Sequence, residues 1–108
     1  MAARFLRRRG HRIVARNFGC ALGEIDIITL DDDTVVFVEV MTRASDEHAE
    51  LVDAVNATKW HRVERAARYY LKRSSAEDCP CRFDFVTVLW RPHRKPQIEH
   101  LENAYQPS

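Results

Sequence analysis

At 108 residues, 45% hydrophobic and 31% charged, the chain suits one domain with a single core and is too short for two. Its 17 Lys and Arg nearly balance 16 Asp and Glu, and no run reaches the roughly 18 apolar residues of a membrane span, so no transmembrane helix is expected. Cys20, Cys79 and Cys81 are odd in number and form no C-x-x-C pair, which argues against a disulfide framework or structural zinc and for a reduced, cytoplasmic protein.

In chain order, Met1–Arg9 reads as the last turns of a helix, ended by Gly10 at the position after its C-cap. Its Arg-rich, acid-free character resembles a mitochondrial presequence, but it lacks Ser and runs straight into the strand-like Ile13-Val14-Ala15. We therefore read it as part of the domain. Arg12–Phe18 is the first strand, Glu24–Leu30 the second and Val35–Met41 the third, with Asp31-Asp32-Asp33 as the turn of a hairpin. Glu50–Arg73 is free of Gly and Pro and strongly periodic, so it is the main helix. Phe83–Trp90 is a further strand, Arg91–Pro96 a basic turn, and Gln97–Leu101 a last strand. The order α-β-β-β-α-β-β implies an α/β fold, a mixed sheet of about five strands with helices packed on it.

The charge is unevenly distributed. Residues 1–16 hold six arginines, Arg7 and Arg8 among them, and no acid. Residues 24–53 hold ten acids against Arg43 alone, and 59–73 return six basic groups against Glu64. Basic flanks around an acidic middle suit a protein that holds phosphates with arginines and a metal with carboxylates. Solvated charged faces account for each run taken singly.

The hairpin carries the chemistry. Strand alternation places Val35, Phe37, Glu39 and Met41 on one face, and Glu24, Asp26 and Ile28 on another. With the loop at Asp31–Thr34, Leu30 pairs with Val35 and Asp26 lies opposite Glu39; a three-residue loop sets Asp26 against Val38 instead. Two opposed carboxylates in an apolar strand pair repel and lose hydration, and a divalent cation is the simplest compensation. On the main helix, Val52, Val55, Val63, Ala66 and Tyr70 form an apolar stripe, with Arg65, Arg68 and Lys72 opposite. Lys59 falls within that stripe, so it must reach out to solvent or meet a carboxylate.

Gly23-Glu24-Ile25-Asp26, Phe37-Val38-Glu39-Val40, Arg82-Phe83-Asp84 and Asn103-Ala104, with the K-x-x-R of Lys59 and Arg62, resemble the YraN family of small bacterial proteins over nearly the whole chain. That family is related to Holliday-junction resolvases and other PD-(D/E)XK nucleases. The resemblance implies a single nuclease-like domain over residues 1–108 with a restriction-endonuclease-like or tRNA-endonuclease-like fold. It implies phosphodiester hydrolysis with Mg²⁺ or Mn²⁺ on branched or structured DNA, with a homodimer as one candidate assembly. By the same resemblance, Asp26 and Glu39 are the metal-binding carboxylates, the Val40 carbonyl is a further ligand, and Glu24 supports them. Arg43, Lys59 and Arg62 match basic positions suited to phosphate contact. Arg65, Arg7 and Arg8 add basic surface for nucleic acid. Met41 stands where the family's motif has its catalytic lysine, and a thioether supplies neither proton nor charge. Lys59 is the candidate to replace it, because helix packing on the sheet can bring its amine to Glu39. The family's longer first helix also carries an acid ahead of the stretch that matches Ala2-Ala3-Arg4-Phe5-Leu6, a position with no counterpart between Met1 and Ala2. The alternatives are a catalytically silent DNA-binding protein and a protein-interaction module.

Overall fold

The computed structural model describes residues 1–43 and 57–107. Helix α1 (Ala2–Arg8) leads into strands β1 (Arg12–Cys20), β2 (Gly23–Asp31) and β3 (Thr34–Arg43). Helix α2 (Ala57–Arg73) then crosses over to β4 (Cys81–Leu89), and β5 (Gln97–Tyr105) closes the order. The part of the expected main helix from Glu50 to Asn56, with Val52 and Val55, lies outside the described residues.

The five strands form one mixed sheet in the order β1-β2-β3-β4-β5. β3 and β4 run parallel, as a helical crossover allows, and the other neighbours are antiparallel. Among the described residues, this α/β arrangement of a five-stranded sheet and two helices is compatible with the restriction-endonuclease-like architecture.

Each helix covers one face. Trp60, Val63, Ala66 and Ala67 of α2, one helical stripe, pack on Ile25, Ile28, Val35, Phe37, Phe83 and Phe85. Ala2, Ala3 and Leu6 of α1 pack on Ile27, Val36, Val38, Val86 and Val88 of the other face. The consecutive runs Val35–Val38 and Phe83–Leu89 are therefore buried on both sides, which is why they read as apolar blocks. α1 ends as expected: Gly10 sits at φ 94, and the N–H groups of Gly10 and His11 donate to the carbonyls of Arg7 and Leu6.

The hairpin register follows the first of the two expected forms, with Leu30 opposite Val35 and Ile27 opposite Val38. The expected common face for Glu24, Asp26 and Ile28 is not kept. Ile25 and Ile28 both pack under α2 while Ile27 faces α1, so the alternation changes phase at Asp26. There the β2–β3 pairing stops. β5 runs on past Leu101 to Tyr105, because Asn103 at φ 53 absorbs a register shift and Tyr105 pairs again with Phe83.

Candidate active site

The phase change at Asp26 builds the site. Instead of continuing the ladder, the Asp26 N–H donates to Oε2 of Glu39 at 3.1 Å, and the Val40 N–H donates to Oδ2 of Asp26 at 2.8 Å. Each carboxylate is thus fixed by the other strand's backbone. Glu39 lies on a central strand with its side chain toward α2, and only 2% of the residue is exposed.

Gly23 lets α2 come close. A Cβ at this position would run into the Arg62 backbone carbonyl, so only glycine permits β2 to lie so near the helix. The first turns of α2 then hang over the strand pair. Glu24, Asp26, Glu39, Thr58, Lys59 and Arg62 line one cleft of about 410 Å³. Lys59 Nζ is 3.5 Å from Oε1 of Glu39, with the lysine side chain half exposed, so Lys59 both reaches the cleft and meets a carboxylate.

Burial pushes the Glu39 carboxyl up to about 7, and the neighbouring charge of Asp26 adds to this. The Asp26 N–H and the Lys59 ammonium pull in the other direction without cancelling it. Two carboxylates crowded at one point favour a cation, and the hard oxygen donors suit Mg²⁺ or Mn²⁺ more than zinc. No group of three or more His, Cys, Asp or Glu side chains able to hold a metal exists among the described residues. A Mg²⁺-like ion fits that restriction, since it is held by one or two carboxylates and keeps several waters.

The cleft unites Asp26, Glu39, Lys59, Arg62 and Glu24. Met41 instead packs against the apolar cluster under α2. Arg43 closes β3, where its carbonyl accepts from the Trp90 N–H at 2.9 Å. Arg65 lies beside His61, Glu64 and Arg68 on an outer stretch of α2. Arg7 and Arg8 belong to α1, which covers the opposite face of the sheet, so they are not part of this cleft.

This chain matches the model of the Uncharacterised protein family UPF0102 over residues 1–88. The chain belongs to that family. It is 40% identical over 106 residues to a UPF0102 protein of Geotalea uraniireducens, covering 98% of this chain and 84% of the relative. A UPF0102 protein of Pelotomaculum thermopropionicum is 40% identical over 105 residues, 96% of this chain and 88% of its own. One from Nitratidesulfovibrio vulgaris is 45% identical over 104 residues, 96% of this chain and 77% of its own.

Within the Arg82-Phe83-Asp84 motif, the side chains find partners that sequence alone does not reveal. Asp84 is fully buried on the α1 face. It accepts from Arg82 Nε at 3.0 Å and from the Asn103 N–H at 3.1 Å, and lies 2.7 Å from His100 Nε2. Arg82 also reaches Asp31 at 3.2 Å, and His11 bonds Thr29 Oγ1 at 2.7 Å alongside. Burial alone would raise the Asp84 carboxyl, but the bonds from His100, Arg82 and Asn103 hold it below its usual range. An acid inside a block as apolar as Phe83–Leu89 has to be paired, and an arginine two residues before it on the same face was the available signal.

Proposed function

We propose that this chain is a nucleic-acid-binding protein whose cleft is that of a metal-dependent endonuclease acting on branched or structured DNA. The observation that carries this reading is the meeting of Lys59 with Glu39 beside Asp26. A nuclease of this kind needs two carboxylates and one cation in a fixed arrangement, and the cation's place in space matters more than the element it comes from. Lys59 supplies from α2 the charge that Met41 does not supply from β3.

In this reading Asp26 and Glu39 hold Mg²⁺ or Mn²⁺, with the backbone carbonyl of Val40 as a further donor. When bound, such a metal supplies charge stabilisation at the scissile phosphate and acidifies water. Arg62, one turn from Lys59, contacts the phosphate on its far side, and Arg43 and Arg65 extend the basic track. Glu24 rims the cleft.

The test is Mg²⁺- or Mn²⁺-dependent nicking of a four-way DNA junction. The unaltered chain should nick slowly. Lys59→Ala should lower the rate by at least the roughly 10²-fold typical of a missing general acid or oriented charge. Met41→Lys should restore it in the Lys59→Ala background. Robust nicking that survives Lys59→Ala would reject the role of that lysine. The second reading, a binder without cleavage, draws on the thioether of Met41 at the motif position; it prevails where neither the unaltered chain nor Met41→Lys nicks DNA.

A further inference from the structure

The face of the sheet opposite the cleft carries a second basic concavity. Arg4 and Arg8, one turn apart on α1, meet Lys95 of the β4–β5 turn around a cleft of about 460 Å³. Phe5, Pro96 and Ile98 form its half-buried floor. Among the described residues, no acidic side chain lines it. Among the same residues, Arg4, Arg8 and Lys95 have no ion-pair partner, and all three are exposed. A neighbouring cation, Arg9, is occupied over the Phe5 ring, 5.5 Å from its centroid.

We infer that this concavity is a second binding site for the phosphate backbone of nucleic acid, separate from the Asp26–Glu39 cleft and on the other side of the sheet. Three uncompensated cations converging from two elements hold condensed anions loosely, and a polyanion gains by releasing its own counterions there. Two of the three are arginines, which take phosphate oxygens in pairs. An anionic membrane is the poorer fit. Insertion needs several apolar side chains that project beyond the basic ones, and here Met1 alone projects at the rim while Phe5, Pro96 and Ile98 are recessed.

The inference rests on the nucleic-acid reading above and deepens it with a second contact surface that accounts for a branched substrate. With one backbone in the α2 cleft and another against α1, a single chain grips two strands or two arms on opposite faces. That geometry selects crossing or branched nucleic acid over an isolated duplex.

The experiment titrates the full chain with a short DNA duplex at low salt, following fluorescence anisotropy and binding stoichiometry. It compares the unaltered chain with the triple variant Arg4→Ala, Arg8→Ala, Lys95→Ala and with the double variant Lys59→Ala, Arg62→Ala. These residues are exposed or line open clefts, and circular dichroism checks that each variant folds. The unaltered chain should bind two duplexes and each variant one. The triple variant's log–log salt slope should be shallower by about 2–3, at roughly 0.9 for each phosphate no longer neutralised. Unchanged stoichiometry and slope in the triple variant overturn the second site. So does loss, in that variant, of binding to phosphatidylglycerol vesicles with duplex binding unchanged. Absence of duplex binding by the unaltered chain defeats the nucleic-acid reading and this inference together, whereas a failed Lys59→Ala nicking test touches only the cleavage reading.

Discussion

At the scale of single residues, Glu39 is the group whose chemistry is most altered by its surroundings. The metal-free folded protein keeps the Glu39 proton to about 7, against 4.5 for the free side chain. Between those values the unfolded chain gives up its proton and the folded chain does not, so stability falls as pH rises through that window. The loss levels off above it at about 3 kcal/mol. Glu39→Gln should therefore stabilise the metal-free protein at pH 8 and do little at pH 4. Bound Mn²⁺ should recover about 2.7 kcal/mol at a hundredfold excess over its Kd in the unaltered chain and nothing in Glu39→Gln. Thermal unfolding at the two pH values, with and without Mn²⁺, measures both effects. A melting temperature indifferent to pH and to Mn²⁺ would show that Glu39 is neither strained nor a ligand. Asp26 and Glu39 were legible in the sequence because an acid among β-branched residues stands out. The phase change at Asp26 was not legible, since a strand's alternation gives no sign of where its partner lets go.

Among elements, the docking of α2 on β2 decides whether the cleft exists. Gly23→Ala puts a Cβ against the Arg62 carbonyl, and backbone cannot swing aside as a side-chain tip can. The helix must lift, at a cost of about 1–3 kcal/mol. The same lift carries Lys59 away from Glu39, so nicking should fall by more than the reduced stability explains. Urea midpoints and single-turnover rates on one preparation separate the two. The α2 stripe was readable from Val63, Ala66 and Tyr70, and the misfit of Lys59 in that stripe left solvent or a carboxylate as its destination, without saying which carboxylate. The sequential strand order was not readable. It depends on non-local pairing that no local pattern records, and β5 continued past its expected end for the same reason.

For the whole molecule, the Arg82–Asp84–His100 cluster joins β2, β4 and β5 beneath α1. Asp84→Asn removes one of the guanidinium's carboxylate partners, leaving Asp31 and Glu102, and should cost about 1–3 kcal/mol at neutral pH. Because the Asp84 carboxyl is held below its ordinary 3.8, its contribution is complete above that value. It disappears as pH falls through the lower folded value. The gap between variant and unaltered chain should therefore close on the acid limb, and denaturant titrations from pH 2 to 7 show it. A gap unchanged at pH 2 would mean that the cost is packing alone.

The helix that carries the cation of the cleft is braced by the end of β5. Trp60, next to Lys59, stacks flat on Tyr105 with ring centres 5.1 Å apart. The Tyr105 hydroxyl donates to Glu64 one turn further on, at 2.8 Å. Tyr105 belongs to the extra length of β5 and lies beyond residues 1–88, where the family model matches. The strand thus lies as a brace against the helix that carries the ammonium, at a point beyond the stretch where the family model matches. Tyr105→Ala leaves every cleft residue in place and slackens the arm that carries one of them.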